Sequence, residues 1–135
     1  MKHVEVVCAI IVNSYNEVFI TKRGPGRALA GKWEFPGGKV EPNETYEETI
    51  IREIKEELSS LIEPIKYVGK VYHEYNDLDE PFAITMHGYI CVLKEGNLVL
   101  SEHTDSKFIS IDKLKEVDFA KADKPFIEMI KDIIY

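Results

Sequence analysis

Between residues 45 and 58 apolar side chains recur at steps of three and four, at Ile50, Ile51, Ile54 and Leu58. At 3.6 residues per turn they gather within an arc of roughly 100°, which predicts an amphipathic helix with one buried stripe. Thr45 followed by Glu48 reads as a capping box, and Pro42-Asn43 supplies the turn before it. Elsewhere the apolar runs are short and β-branched. Residues 3–12 read as a strand rich in Val and Ile, 13–16 as a turn, and 17–23 as the returning partner. Residues 24–32, with three glycines and Pro25, read as a loop, and 33–40 as a short aromatic strand running into Gly37-Gly38. Residues 65–75 and 82–93 read as strands around an acidic connection at 76–80, then 107–111 as a shorter strand and 111–117 as a helical turn. Residues 124–134 predict a final helix with Phe126, Ile127, Ile130 and Ile133 or Ile134 on its apolar face. The order β, β, loop, α, β, β, β, α predicts an α/β fold: a mixed sheet covered by helices on both faces.

Composition narrows this picture without redirecting it. A chain of 135 residues with 44% hydrophobic content fits a single domain, 1–135, with a real core. The net charge of -7 argues against a nucleic acid polymer as partner, while leaving room for a nucleotide, which needs only a local basic patch and a metal. Cys8 and Cys91 both lie in apolar runs and read as buried thiols. The chain shows no basic-then-apolar leader and no apolar run approaching 18 residues, so a soluble cytoplasmic protein with no membrane partner is expected.

The chemistry concentrates around the first helix. Glu53, Glu56 and Glu57, at i, i+3 and i+4, cover an arc of roughly 100° away from the apolar stripe. Like charges at this spacing destabilise a helix by a few tenths of a kcal/mol per pair, so they ask for a compensating charge. Arg52 is one such neighbour, and a divalent cation would be another. A solvated acidic face and a metal face both satisfy the three glutamates alone. The preceding Gly37-Gly38 favours the second reading, because glycines permit positive φ and let a ligand or metal approach a main-chain carbonyl.

Gly38, Glu44, Arg52, Glu53, Glu56 and Glu57 together resemble the signature of the Nudix hydrolases, G-x5-E-x7-R-E-U-x-E-E-x-G-U with U aliphatic; Ile54 fills the first U. Two departures close the box. Ser59 replaces the glycine that normally ends the helix in a left-handed conformation, and Ser60 replaces the last aliphatic residue, leaving Leu61 or Ile62 to take over its packing. The resemblance spans nearly the whole chain and implies an α/β/α sandwich with a mixed β-sheet between helices. It implies Mg²⁺, with Mn²⁺ as a substitute, held by Glu53, Glu56 and Glu57 with the Gly37 carbonyl and a later loop acid, Glu102. Glu53 is the candidate general base, and Glu44 and Arg52 orient loop and helix by ion pairing. Arg23 is the candidate contact to substrate phosphate or sugar, with Arg27 and Lys39 as weaker versions of the same idea.

Residues 32–41 look most like the MutT-type branch, and Ala122-Asp123-Lys124-Pro125 strengthens the match. In that branch the second position of this stretch hydrogen-bonds the base edge; here it is Asp123. Its place before Lys124-Pro125 suits a helix cap equally well. Phe35 and Phe82 are candidates for stacking on a base or for the core. The implied activity is Mg-dependent pyrophosphohydrolysis of a nucleoside triphosphate to the monophosphate and pyrophosphate, sanitising oxidised nucleotides such as 8-oxo-dGTP. CTP or dCTP, another nucleoside diphosphate derivative such as an ADP-sugar, and a nucleotide-sensing module without turnover are the alternatives. The partner is a small nucleotide, and the expected assembly is a monomer or homodimer.

Overall fold

The computed structural model describes residues 1–25, 29–99 and 103–134, the side chains of 103, 104 and 134 excepted. β1 (Lys2–Ile11) is central because both its faces are apolar. Val6, Cys8 and Ile10 enter one core, and Val7, Ala9 and Ile11 the other, as the two-residue period of a strand requires. A strand of this kind needs layers on both sides. β1 runs antiparallel to the short β4 (Gly37–Lys39) and parallel to β6 (Phe82–Glu95), which pairs on its other edge with β5 (Leu61–Tyr75). The large sheet is therefore mixed, in the order β4-β1-β6-β5. β2 (Glu17–Arg23), β3 (Trp33–Glu34) and β7 (His103–Ser110) form a second, antiparallel sheet in the order β3-β2-β7.

α1 (Tyr46–Leu58) covers one face of the large sheet, packing Ile50, Ile54 and Leu58 against Val7, Ala9 and Ile11. Each of these three helix residues is fully buried, worth roughly 1.5–3 kcal/mol in apolar transfer. α2 (Pro125–Ile134) lies in the opposite core, where Phe126, Ile127 and Ile130 meet Val6, Cys8 and Ile10 together with Val18 and Ile20 of the second sheet. The Phe126 ring sits over Gly88 of β6, where an added Cβ would approach it to 2.6 Å. The expected mixed sheet between helices is present, with the small sheet as an addition on the α2 side. Cys8 and Cys91 are buried free thiols. Among the described residues no helix is long and apolar enough to cross a membrane.

Several local expectations need correction. The run 33–40 is not one strand: Trp33–Glu34 pairs with β2 and Gly37–Lys39 with β1. Pro36, which has no N–H, sits between them, and its carbonyl accepts from Ala9 N–H at 2.8 Å. Gly37 and Gly38 therefore lie in a strand, and neither has the positive φ that their pairing suggested. What demands glycine at 37 is space, since a Cβ there would run into the Val7 carbonyl and the Cys8 Cα of β1. β5 begins at Leu61 rather than 65, with a register shift around Pro64 that hides the alternation. β7 begins at His103 rather than 107, because 103–106 carry no apolar alternation to read. Ile51 is only partly buried, at the margin of the stripe.

The helix boundaries follow side-chain chemistry. The capping box forms: Thr45 Oγ1 accepts from Glu48 N–H at 3.1 Å while Thr45 N–H donates to Glu48 Oε1 at 2.8 Å. At the other end Ser59 takes the left-handed conformation (φ 50°, ψ 39°) in place of glycine, and its N–H donates to the Lys55 carbonyl. Ser60 then does polar work at the aliphatic position. Its hydroxyl donates to the Leu58 carbonyl and accepts from Leu98 N–H, both at 2.8 Å, satisfying one of the helix's unpaired carbonyls. Ile62, 2% exposed, supplies the apolar packing, whereas Leu61 stays 39% exposed.

Candidate active site

Arg52 is the hub that joins α1, the turn before it and β4. Its Nε and Nη2 grip Glu44 at 2.6 and 3.0 Å, Nη1 donates to Glu53 Oε1 at 2.8 Å and Glu56 Oε2 at 3.3 Å, and Nη2 also reaches the Lys39 carbonyl at 3.2 Å. The forked guanidinium thus answers the like-charge cost of the glutamate cluster. Glu44 Oε1 accepts further from Thr49 Oγ1 and Glu41 N–H. The Arg52 hydrogen bonds, helped by those from Thr49 and Glu41, hold the Glu44 carboxyl at about 2, below its ordinary 4.5. A carboxyl whose folded value is depressed stabilises the fold above its unfolded value and loses that contribution as pH falls through the folded one. The gap in melting temperature between wild type and Glu44→Gln is therefore expected to be widest above pH 5 and to close between about 4.5 and 2. A gap independent of pH would refute the ion-pair role.

Glu53 is held on two sides. Arg52 binds Oε1, and the carboxylate lies against Gly38, where an added Cβ would overlap its Cδ and Oε2. Glu53 and Glu57, one turn apart, line a cleft of about 1300 Å³ together with Gly37, Gly38 and Lys39. Glu56, about 100° around the helix from Glu57, turns to the rim, where it is 61% exposed and bonded to Arg52. Among the described residues no three His, Cys, Asp or Glu converge as a ligand set, and Glu53 and Glu56 are each bonded to Arg52. Glu53, Glu57 and Gly37 line the cleft, and their carboxylate and carbonyl oxygens are hard donors of the kind Mg²⁺ and Mn²⁺ accept. Glu102 and Arg27 lie outside the described residues.

The far end of the cleft is built around Asp123, which is 2% exposed. Its Oδ2 accepts from Phe35 N–H at 2.9 Å, across 88 residues of chain. The helix-cap alternative is not what forms: the first turn of α2 is closed by main-chain bonds, Phe126 N–H to the Asp123 carbonyl and Ile127 N–H to that of Lys124. Burial, and after it the neighbouring Glu34 carboxylate, push the Asp123 carboxyl well above the usual range, against the opposing pull of Phe35 N–H and Arg23. Arg23 lines the cleft and pairs with Glu34 at 3.0 Å. Phe35 does not offer a face for stacking. It is 2% exposed, stacked on Phe119 at 5.0 Å and edge-on to Phe126, and it serves as floor. Phe82 is partly exposed and lines the cleft, tilted against Tyr75 at 5.1 Å. Tyr75 and Glu34 are cleft residues that the sequence did not single out; at the end of a strand, aromatic and acidic side chains carry no signal that separates them from core and surface.

The model of the NUDIX domain family matches residues 1–130. The chain is 33% identical to the 8-oxo-dGTP diphosphatase of Escherichia coli K12, over 97% of this chain and 98% of that one. It is 32% identical to the CTP pyrophosphohydrolase of the same organism, over 95% and 91%. Among solved structures it is similar to the E. coli ORF135 protein (TM-score 0.81, 30% identity, covering 98% of this chain and 91% of that one). It is also similar to a MutT protein from Methanosarcina mazei Go1 (TM-score 0.79, 25% identity, covering 98% and 96%).

Proposed function

The chain belongs to the NUDIX family of hydrolases, and from that premise we propose that it is a Mg²⁺-dependent nucleoside triphosphate pyrophosphohydrolase. It takes an NTP or dNTP and water to the monophosphate and pyrophosphate, with oxidised nucleotides such as 8-oxo-dGTP as the preferred class. The observation that carries this reading is one cleft with carboxylates and β4 main chain at one end and a buried, half-satisfied Asp123 at the other. A nucleotide has the same polarity, phosphates at one end and a hydrogen-bonding base at the other.

Glu53, Glu57 and the Gly37 carbonyl would hold a divalent cation, which when bound would supply charge neutralisation on the phosphates and a lowered pKa for the attacking water. Glu53, held by Arg52 and seated on Gly38, is the group that takes the proton from that water. Lys39, exposed at the cleft edge, meets a phosphate oxygen. Arg23 beside Glu34 meets the sugar side.

The same cleft suits CTP or dCTP, and a specific feature supports this second reading. Asp123 has one oxygen committed to Phe35 N–H and a raised pKa, so its other oxygen donates when protonated and accepts when ionised. The relative named CTP pyrophosphohydrolase points the same way. Pyrophosphate release from a panel of nucleotides with Mg²⁺ tests the activity; a panel without pyrophosphate would refute it. Asp123→Ala is expected to change the ratio of kcat/KM between 8-oxo-dGTP and CTP by about tenfold or more. An equal loss on both substrates would remove Asp123 from base reading.

A further inference from the structure

Tyr75 ends β5 at the cleft wall, where it lines both the main cleft and a smaller cavity of about 270 Å³. It is 3% exposed. The hydroxyl accepts from Ala122 N–H at 2.8 Å, which pins it one residue from Asp123. A phenol has a hydrogen to give as well as lone pairs to fill, and the bond to Ala122, in which the hydroxyl is the acceptor, is its one hydrogen bond among the described residues. Burial, ahead of the neighbouring Asp123 and Glu34 carboxylates, raises the phenol above its ordinary value and keeps it protonated; Ala122 N–H and Arg23 pull the other way. Asp123 is in a matching position, with Oδ2 bound to Phe35 N–H and no described donor on Oδ1. Two buried polar groups, each fixed by one backbone N–H and each with one remaining hydrogen-bonding direction, thus stand together at the end of the cleft.

We propose that the Tyr75 hydroxyl is a specificity-determining donor, giving its hydrogen to a carbonyl oxygen or ring nitrogen of the nucleobase beside the position addressed by Asp123 Oδ1. The inference rests on the nucleotide reading of the cleft. Adjacent donor and acceptor positions lie on the Watson–Crick edge of every base, so a pair of fixed groups distinguishes a base from no base, and one base from another by their order along that edge. Both groups are preorganised. Tyr75 is wedged by Phe82 at 5.1 Å and His73 at 4.5 Å, so little freedom is lost on binding.

The test is Tyr75→Phe, measured on the preferred nucleoside triphosphate and on ribose 5′-triphosphate, which has no base. The expected result is a KM raised about tenfold on the nucleotide, with kcat within about twofold, and no change on ribose 5′-triphosphate. Equal losses on both compounds would reduce Tyr75 to a support for Ala122, and no change on either would show the hydroxyl unused; both outcomes overturn the proposal. A wild-type enzyme that does not favour the nucleotide over ribose 5′-triphosphate would instead overturn the base-binding reading on which it rests. Because Phe leaves Ala122 N–H without its acceptor, a melting curve accompanies the kinetics. Should the variant fail to fold, wild-type protein with base analogues that lack single acceptors gives the same comparison. One analogue must lose about tenfold in kcat/KM, and equal rates across all of them would refute the donor.

Discussion

Glu53→Gln is expected to lower kcat by about 10³-fold while leaving the fold intact. The amide has the shape of the carboxylate but neither takes a proton nor binds a cation as an anion, and removal of a positioned base costs roughly 10²–10⁴-fold. The fold is insulated from the change. α1 is anchored by Ile50, Ile54 and Leu58 and by its capping box, none of which involves residue 53. Arg52 keeps its two-pronged grip on Glu44 in the variant, so the hub survives. Pyrophosphate release under saturating nucleotide and Mg²⁺ measures the loss, and a thermal melt within a few degrees of wild type separates chemistry from stability. Equal turnover in variant and wild type would remove Glu53 from the mechanism.

Gly38→Ala is expected to reduce kcat by about 10²-fold, again without unfolding. The backbone at 38 is extended, so alanine meets no conformational penalty there. What it meets is the Glu53 carboxylate, because the new Cβ would overlap Cδ and Oε2. A side-chain tip can swing away where a backbone cannot, so the helix stays and Glu53 moves. Displacement of a reacting group by about 1 Å costs on the order of 10²-fold. Gly37→Ala is the control. Its Cβ would strike the Val7 carbonyl and the Cys8 Cα, main-chain atoms of the central strand, and the expected result is a protein that does not fold. Comparable stability for the two variants, or full activity in Gly38→Ala, would refute this account of the double glycine.

The contrast between these glycines shows how legible the site was. Positive φ and the close approach of a ligand to a main-chain carbonyl were the expected reasons for them; neither glycine has positive φ, and close packing against β1 and Glu53 is what the structure shows them supplying. The glutamates tell a similar story. Their spacing placed them on one side of α1, but in the structure Glu53 and Glu57 line the cleft while Glu56, bonded to Arg52, lies exposed at the rim. Ser59 and Ser60 left the end of the helix open on paper. Ser59 reaches the left-handed conformation without being glycine, and Ser60 bridges Leu58 and Leu98, a bond that requires knowing that residue 98 returns beside residue 60.

Those elements whose signals are local could be read directly from the chain. The capping box, the apolar stripe of α1 and the β-branched run of β1 each depend on residues within a turn or two of one another, and their periods survive any tertiary context. The family signature lies within twenty residues for the same reason. Tertiary structure alone decided the rest: the split of 33–40 between two sheets, the core position of Phe35, and the meeting of Asp123 with Phe35 N–H and of Tyr75 with Ala122 N–H across 88 and 47 residues. A hydrogen bond between such distant groups leaves no period in the sequence, because it exists only once the core has closed and excluded the water that would otherwise satisfy both partners.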